Sequence, residues 1–366
     1  MSAPLEGIKV VELARILAGP WAGQTLGDLG AEVIKIESPA GDDTRKWGPP
    51  FVGEDAAYFH SCNRGKTSEV IDFQTPEGHA RLLEILADAD VLIENFKTGS
   101  LAKYRLDYAT LHEKFPRLIY CSITGFGQTG PYKDLAGYDF IIQGMSGIMD
   151  LTGQPDGQPT KMGVAFADIF TGLYSVIAIQ AALHMRAQTG KGQHIDMALF
   201  DCMTGVLANQ AQNYFASSNS PKRMGNAHPN IAPYAVFPTS DGYFILAVGN
   251  DNQFARFCEI IDKDWLNDPR FQTNSLRVQN RESLTDLINE VTSTYPRDDL
   301  MKLLNDAGVP CGPINSVEDV FKDPQIIARE MVIVPEGQRS LRTPIQFSDA
   351  ELSLTKSSPK LQKPKH

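Results

Sequence analysis

The chain has 366 residues, of which 42% are apolar and 21% are charged, and its formal net charge at pH 7 is −10. These values are typical of a folded protein with one large and one smaller domain, and unlike those of a disordered chain. The acidic balance excludes a general nucleic-acid binder, because such a protein neutralises phosphates with many Lys and Arg side chains.

The five cysteines stand singly along the chain. This spacing offers neither a disulfide framework nor a paired zinc-binding motif, so we expect no metal. The N-terminus lacks a signal-peptide pattern, and no run of about 18 uninterrupted apolar residues occurs. We therefore predict a cytoplasmic protein that is not exported and does not associate with a membrane.

The first half of the chain alternates short apolar strands with helical segments. Residues 8–13 and 31–37 are β-branched runs separated by a small-residue segment, which indicates strand, helix and strand. An amphipathic helix at 79–90 precedes two buried strands at 90–96 and 118–126. Such alternation is typical of an α/β fold with a doubly wound parallel sheet.

Residues 168–187 have the apolar spacing of one long packed helix that stops at the glycines near 190. From 206 to 229 the chain becomes rich in Asn, Gln, Ser and Pro, which is typical of a linker. A hairpin around residues 240–242 then opens a second region. We predict a Rossmann-like large domain at 1–205, completed by 330–366, and a smaller α+β domain at 230–328. The Lys- and Pro-rich end of the chain is expected to be poorly ordered.

Asp168 opens the long predicted helix. An Asp at that place is commonly an N-cap, whose carboxylate accepts backbone N–H groups. The helix dipole also favours its ionised form. An ionised carboxylate in a dry cleft can attack a thioester carbonyl as a nucleophile. The residues alone leave the capping and the catalytic interpretations open.

Several long motifs bear on this choice. In chain order they are LAGPWAGQTLGDLGAEVIKIESPAGDDTR (17–45), ENFKTGSL (94–101), TGFGQTGPY (124–132), GVAFADIFTGLYSVIAIQAAL (163–183) and GVPCGPINSVEDV (308–320). Together they resemble family III of the CoA-transferases (CaiB/BaiF) over nearly the whole chain. The resemblance implies that Asp168 is the nucleophile, forming aspartyl anhydride and aspartyl-CoA intermediates with acyl-CoA and carboxylic acid substrates. It also implies an interlocked homodimer.

The same superfamily contains racemases, in which a His precedes the Asp of the segment that corresponds to residues 137–139. Removal and return of an α-proton needs a base on each side of the carbon. Tyr138 stands at that place here, and an unperturbed tyrosine is a poor base at neutral pH. We therefore favour a transferase in which Tyr138 flanks the substrate thioester. A 2-methylacyl-CoA racemase and a non-catalytic acyl-CoA-binding protein are the alternatives.

No GxGxxG follows the first strand, so NAD binding has little support. The resemblance implies coenzyme A contacts instead at Arg15, Ala18, Ile71, Gln74, Asn95, Phe96, Lys97 and Lys103. Arg15 is suited to pair with a substrate carboxylate or a phosphate of CoA. The chain looks most similar to the branch of the family that includes succinyl-CoA:glutarate CoA-transferase, which makes dicarboxylate substrates an expectation.

Overall fold

The computed structural model describes residues 2–362. The strands are β1 (Lys9–Glu12), β2 (Glu32–Glu37), β3 (Phe51–Val52), β4 (Asp55–Ala56), β5 (Thr67–Val70), β6 (Val91–Glu94), β7 (Ile119–Thr124), β8 (His194–Ala198), β9 (Tyr234–Thr239), β10 (Gly242–Ala247), β11 (Cys311–Pro313), β12 (Val332–Ile333) and β13 (Ser340–Leu341).

The helices are α1 (Ala18–Asp28), α2 (Ala57–His60), α3 (Pro76–Leu86), α4 (Tyr108–Lys114), α5 (Asp139–Met145), α6 (Ile148–Leu151), α7 (Phe166–Thr189), α8 (Leu199–Gly205), α9 (Ala208–Ser217), α10 (Asp251–Ile260), α11 (Asn274–Gln279), α12 (Arg281–Thr292), α13 (Arg297–Asp306), α14 (Val317–Val320) and α15 (Pro324–Ala328). Short 3₁₀ helices occur at Asp43–Lys46, Ala102–Tyr104, Trp265–Asn267 and Pro335–Gly337.

The chain divides into two compact units, and the first contains a parallel sheet of six strands in the order β5-β2-β1-β6-β7-β8. This confirms the predicted α/β class and parallel sheet. Successive residues of β1 point to opposite faces, because Val10 packs in one apolar core with α1 and α7 and Val11 in another with α3 and α4. Burial of both faces explains why these strands read as continuous apolar runs.

The strand order reverses between β1 and β6. From β1 the chain crosses to β2 on one side, whereas β7 and β8 lie beyond β6 on the other side. Open parallel sheets bind ligands outside the carboxyl ends of their strands at such a switch point. Arg15 follows β1 and Asn95 follows β6, so this topology brings them to the same edge of the sheet.

Helix α7 packs its buried side against α1, β7 and β8. It ends at Gly190, whose φ of 73° is the left-handed C-cap conformation that glycine permits, and this confirms the predicted stop. By length and composition alone α7 is also capable of crossing a membrane. In this fold its last turn is tied to the sheet, since Arg186 Nη2 lies 2.7 Å from Asp90 Oδ1.

Within the described residues, the first unit comprises 2–148, 161–218 and 324–362, and the second comprises 149–160 and 219–323. The second unit therefore begins before the predicted boundary at 230 and also takes in a short earlier segment. The predicted linker, residues 206–229, contains helix α9. Asn and Gln are only mildly unfavourable in helices, so their abundance did not mark a break there.

In the second unit, β9 and β10 pair antiparallel around a two-residue turn at Ser240 and Asp241, which confirms the predicted hairpin. β11 completes a three-stranded sheet. The C-terminal segment returns to the first unit, where Pro359 O accepts a hydrogen bond from Arg45 Nη2 at 3.1 Å. The predicted loose end, residues 363–366, lies outside the described residues.

A buried network of charged side chains lies beneath the chain that leaves β1. The Lys35 ammonium group contacts Glu12 Oε1 at 3.0 Å and Asp42 Oδ2 at 2.8 Å, and it donates to Ala14 O at 2.9 Å. Lys66 Nζ contacts Glu12 Oε2 at 2.8 Å and donates to Pro20 O at 2.8 Å. Burial disfavours the charge on Lys35, but the two carboxylates outweigh this effect and raise its pKa. The pKa of Lys66 is lowered instead, because burial outweighs the opposing effect of the Glu12 carboxylate.

Glycine at position 23 makes this network possible. A Cβ atom there would overlap the Glu12 carboxylate, which reaches across to α1. Both lysines and both acids are almost fully buried. Removal of one partner from such a cluster leaves an uncompensated buried charge, and the usual cost is about 3 to 5 kcal/mol.

We expect Lys35→Met to reduce the free energy of unfolding by about 3 to 5 kcal/mol, because Glu12 and Asp42 lose their common cation. The matched control is Lys9→Met, since Lys9 pairs with Asp88 at the surface, where an ion pair adds little to stability. The loss for this variant should be much smaller. Urea unfolding at pH 7 measures both values. A loss below about 1 kcal/mol for Lys35→Met would contradict a stabilising role for the network.

Candidate functional site

A cavity of about 610 Å³, the central cavity, lies in the first unit near the carboxyl ends of β1, β6 and β7. The predicted site residues that line it are Arg15, Ala18, Asn95, Phe96, Lys97, Tyr138 and Asp168. They come from the turn before α1, the segment after β6, and the N-termini of α5 and α7. The structure thus brings together residues that are separated by up to about 150 positions in the chain.

Asp168 is the third residue of α7 and not its N-cap. Ala165 occupies the N-cap position, and Asp139 at the start of α5 accepts the Ala167 N–H with Oδ1 at 2.9 Å. The capping interpretation of Asp168 is therefore wrong, because the Asp139 carboxylate accepts the free N–H at the start of α7 instead. Within residues 2–362 no group donates a hydrogen bond to the Asp168 carboxylate.

The pKa of Asp168 is raised to about 7, first by burial and then by the negative charge of Asp139. This differs from the expectation that the helix N-terminus keeps the group ionised. Loss of hydration outweighs the helix dipole here, since no hydrogen-bond donor replaces the missing water. At neutral pH the half-buried carboxyl group is therefore incompletely solvated and only partly ionised.

The turn from Arg15 to Ala18 carries a strained residue next to this carboxylate. Ile16 has a φ of 72°, a left-handed conformation that is a genuine outlier for a β-branched side chain. Its N–H donates to Asp42 Oδ1 at 3.4 Å, and its carbonyl accepts from Cys62 Sγ at 3.5 Å. Such conformations persist only where the surroundings enforce them, and they concentrate at functional sites.

Asn95 holds the same turn from the other side. Its Oδ1 accepts the Arg15 N–H at 2.9 Å, and its Nδ2 donates to the Arg15 carbonyl at 2.7 Å. Both ends of the Asn95 amide are thus engaged by the protein backbone. Asn95, predicted to contact CoA, lines the central cavity, and its observed contacts orient Arg15.

The Arg15 side chain forms an ion pair with Asp43, with Nη1 2.6 Å from Oδ2. The two side chains are 56% and 50% exposed, respectively. An ion pair this exposed contributes about 1 kcal/mol or less. A carboxylate or phosphate from a ligand can therefore replace Asp43 at little cost.

A smaller cavity of about 240 Å³, the outer cavity, adjoins the same turn. Ile71 and Gln74 line it, and Arg15 and Phe96 line both this cavity and the central one. Lys103 lines neither cavity. Its ammonium group lies 4.6 Å above the ring of Tyr104, whose hydroxyl donates to Gln74 Oε1 at 2.9 Å. Lys103 is thus near the outer cavity through its neighbours.

The sequence analysis missed several residues of the central cavity. Asp43, Trp47 and Lys133 line it, and Asp139 caps the helix that carries Asp168. Trp47 lies two residues after the motif at 17–45, and Lys133 directly follows the motif at 124–132. This proximity is the only feature of the sequence that could have indicated them. Among residues 2–362, no three His, Cys, Asp or Glu side chains are grouped as metal ligands.

The whole chain was compared with known proteins. Residues 5–364 match the model of "CoA-transferase family III". The succinate–glutarate CoA-transferase of Agrobacterium fabrum is 56% identical, over 98% of this chain and 93% of that protein. The human succinyl-CoA:glutarate CoA-transferase is 42% identical, over 98% of this chain and 83% of that protein.

Solved structures agree with this assignment. A CaiB/BaiF family protein from Brucella suis superposes with a TM-score of 0.90 at 65% identity, over 99% of this chain and 97% of that chain. The protein Rv3272 from Mycobacterium tuberculosis also gives a TM-score of 0.90, at 27% identity and with coverage of 99% and 98%. The resemblance read from the motifs is confirmed: the chain belongs to CoA-transferase family III and is an acyl-CoA:carboxylate CoA-transferase.

Proposed function

We propose that this enzyme moves CoA between short dicarboxylic acids, with Asp168 as a covalent nucleophile. The observation that carries the proposal is the joint presence of an unbonded, incompletely solvated Asp168 carboxylate and the Arg15 guanidinium in one cavity. The relatives named for succinate and glutarate support this substrate class. Arg15 suits the distal carboxylate of such a substrate, because its pairing with Asp43 is exposed and exchangeable.

In the proposed mechanism, an Asp168 oxygen attacks the thioester carbonyl of the donor, the carbon–sulfur bond breaks, and CoA thiolate leaves. The thiolate then attacks the Asp168 carboxyl carbon of the mixed anhydride, which releases the donor acid and forms aspartyl-CoA. The acceptor carboxylate displaces CoA in turn and forms a second anhydride. Attack of the thiolate on the acceptor carbonyl yields the new thioester and restores Asp168. This sequence of steps requires no ATP or metal, since the thioester energy is conserved.

The contents of the central cavity favour this chemistry over racemisation. Among residues 2–362, no histidine lines the cavity, so the histidine base that a racemase places before the Asp of this segment has no counterpart there. Tyr138 occupies the wall near Asp168 with its side chain 63% exposed. We propose that its ring flanks the thioester of the bound substrate.

The outer and the central cavity share Arg15 and Phe96 in their linings, so one extended ligand such as CoA could occupy both. We propose that the adenine lies in the outer cavity against Ile71 and Gln74, and that the pantetheine passes Arg15 and Phe96 into the central cavity, where Ala18 borders the reacting carbonyl. Lys97 and Lys103 supply positive charge for the phosphates. Burial of apolar surface and a few fixed polar contacts are typical of such cofactor sites.

We further propose that the enzyme is an interlocked homodimer in the cytoplasm. Along α7, the side opposite the sheet exposes Leu173, Tyr174, Ile177 and Met185 at helical spacing. A contiguous apolar stripe of this kind is uncommon on the surface of a monomer and typical of an interface. A second copy of the chain covering α7 accounts for it.

Steady-state transfer of CoA from succinyl-CoA tests the substrate class, with glutarate as acceptor and valerate as the monocarboxylate of equal length. We expect Arg15→Gln to lower kcat/KM for glutarate by about tenfold or more, because the distal carboxylate loses its cation. The value for valerate should change by less than about threefold.

Arg81→Gln is the matched control for this variant. Arg81 also pairs with an acid, Glu69, and its side chain is 51% exposed, but it lines neither cavity. Its glutarate kinetics should equal those of the wild type. Equal losses for glutarate and valerate in Arg15→Gln, or no preference for glutarate in the wild type, would contradict the dicarboxylate assignment.

The pH dependence of kcat/KM tests the state of Asp168. Attack requires the ionised carboxylate, so the rate should fall as the pH drops below about 7, where Asp168 is protonated. Asp139→Asn keeps a side-chain oxygen for the Ala167 N–H but removes one negative charge, which lowers the pKa of Asp168. We expect the acidic limb of the profile to move to lower pH by roughly 0.5 to 1 unit.

Asp349 is exposed, so Asp349→Asn removes a negative charge that faces solvent and serves as the control. The acidic limb of its pH profile should match that of the wild type. An acidic limb that stays unchanged, or moves to higher pH, in Asp139→Asn would show that Asp168 is not the group that the profile reports.

A further inference from the structure

A third cavity of about 270 Å³, the side cavity, lies next to the central one, and Lys97 and Thr98 line both. Its lining includes one polar residue from each of three neighbouring strands, namely Glu94 of β6, Ser122 of β7 and His194 of β8. Glu94 and Ser122 stand directly opposite each other in the sheet. The mechanism proposed for Asp168 uses none of these three side chains.

Hydrogen bonds join the three side chains. Ser122 Oγ lies 2.9 Å from His194 Nε2. Ser122 also stands opposite Glu94 in the sheet, and hydrogen bonding from its hydroxyl opposes the rise in the pKa of the Glu94 carboxyl group that burial causes. The His194 ring is fixed by stacking on Tyr108, with ring centres 4.8 Å apart and planes at 14°, and by the edge of Tyr120. A chain of polar groups with fixed ends holds the carboxyl group in one orientation.

Glu94 also binds the backbone of a segment that forms part of the wall of the central cavity. Its Oε2 accepts the N–H of Phe96 at 2.8 Å and so closes a tight turn around Asn95. The Asn95 amide in turn holds both backbone groups of Arg15. Glu94 is therefore connected to the turn that carries Arg15, although it does not itself line the central cavity.

Glu94 is unusual among the buried acids. Glu12, Asp28, Glu37 and Asp42 each form an ion pair with a Lys or Arg side chain. Within residues 2–362, Glu94 forms none, and burial raises its pKa to about 7. A buried carboxyl group without a cation reduces stability relative to an apolar side chain, so its hydrogen bonds, and not its charge, explain its presence here.

We propose that Glu94 is a positioning residue for acyl-CoA binding. With its carboxyl group next to Ser122, which His194 contacts in turn, it fixes the Asn95–Lys97 segment and, through Asn95, the Arg15 turn. This inference rests on the proposed function, because the segment it positions is the one assigned to CoA. It assigns to the side cavity a supporting role and no ligand of its own.

Kinetics with succinyl-CoA and glutarate test the proposal in the full-length protein. We expect Glu94→Ala to raise KM for succinyl-CoA by about tenfold or more, because the Phe96 N–H loses its acceptor, while kcat changes by less than about threefold. Glu94→Gln retains an acceptor for that N–H and a donor toward Ser122, so its KM should stay within about threefold of the wild type. Ser122→Ala should lie between the two.

Gln128→Ala is the control for the side cavity. Gln128 lines that cavity, but only its backbone N–H has an assigned bond, to Asp196. KM should not change in this variant. A rise equal to that of Glu94→Ala would show that the cavity itself binds a ligand and would overturn the positioning role. Equal losses in Glu94→Gln and Glu94→Ala would overturn it as well.

Hydrogen–deuterium exchange of the peptide 95–101 separates this inference from the proposed function. The Phe96 amide should exchange faster in Glu94→Ala than in the wild type and remain protected in Glu94→Gln. Unchanged protection in Glu94→Ala would refute the positioning role even if the enzyme transfers CoA. Absence of CoA transfer by the wild type would instead refute the proposed function and leave the exchange result to decide on Glu94.

Discussion

Two buried lysines determine how the chain leaves the first strand of the sheet. Lys35 and Lys66 share the carboxylate of Glu12, and Lys35 also binds Asp42 and the carbonyl of Ala14. Asp42, held in this way, accepts the N–H of Ile16 and supports its left-handed backbone. The buried ion pairs thus help to hold Ile16 in its strained conformation at the edge of the central cavity.

The strained turn links the two parts of the site. On one side of Ile16 stands Arg15, which borders both the outer and the central cavities. On the other side the chain enters α1 at Ala18, which lies against α7 near Gly172, where a Cβ atom would meet the Ala18 carbonyl. Close packing therefore fixes the position of Arg15 relative to α7, the helix that carries Asp168. Such fixed geometry suits the covalent mechanism proposed for Asp168.

Much of the fold was predictable from local pattern. The β-branched runs, the long small-residue helix ending at Gly190 and the hairpin at residues 240–242 were all found where the sequence placed them. These signals are local, because periodicity and turn residues act over a few positions. The extent of the second unit was not predictable in this way. Helix α9 formed in a stretch whose Asn and Gln content suggested a linker.

The site was predictable in its residues more than in their roles. Motif resemblance predicted Asp168 and six other residues that line the central cavity, whereas the helix-capping role of Asp139 and the clamp from Asn95 to Arg15 depend on contacts between distant segments. The raised pKa of Asp168 was also not predictable from the neighbouring sequence. The helix position favours the ionised form, but burial, which no short window of sequence reveals, has the larger effect.

The proposed mechanism requires that the Asp168 carboxylate becomes covalently acylated. Incubation with succinyl-CoA, trapping with hydroxylamine and peptide mass spectrometry test this most directly. We expect a hydroxamate on the side chain of Asp168, dependent on the thioester and absent from Asp168→Asn. Modification at another residue, or CoA transfer at the wild-type rate without any trapped adduct, would contradict it.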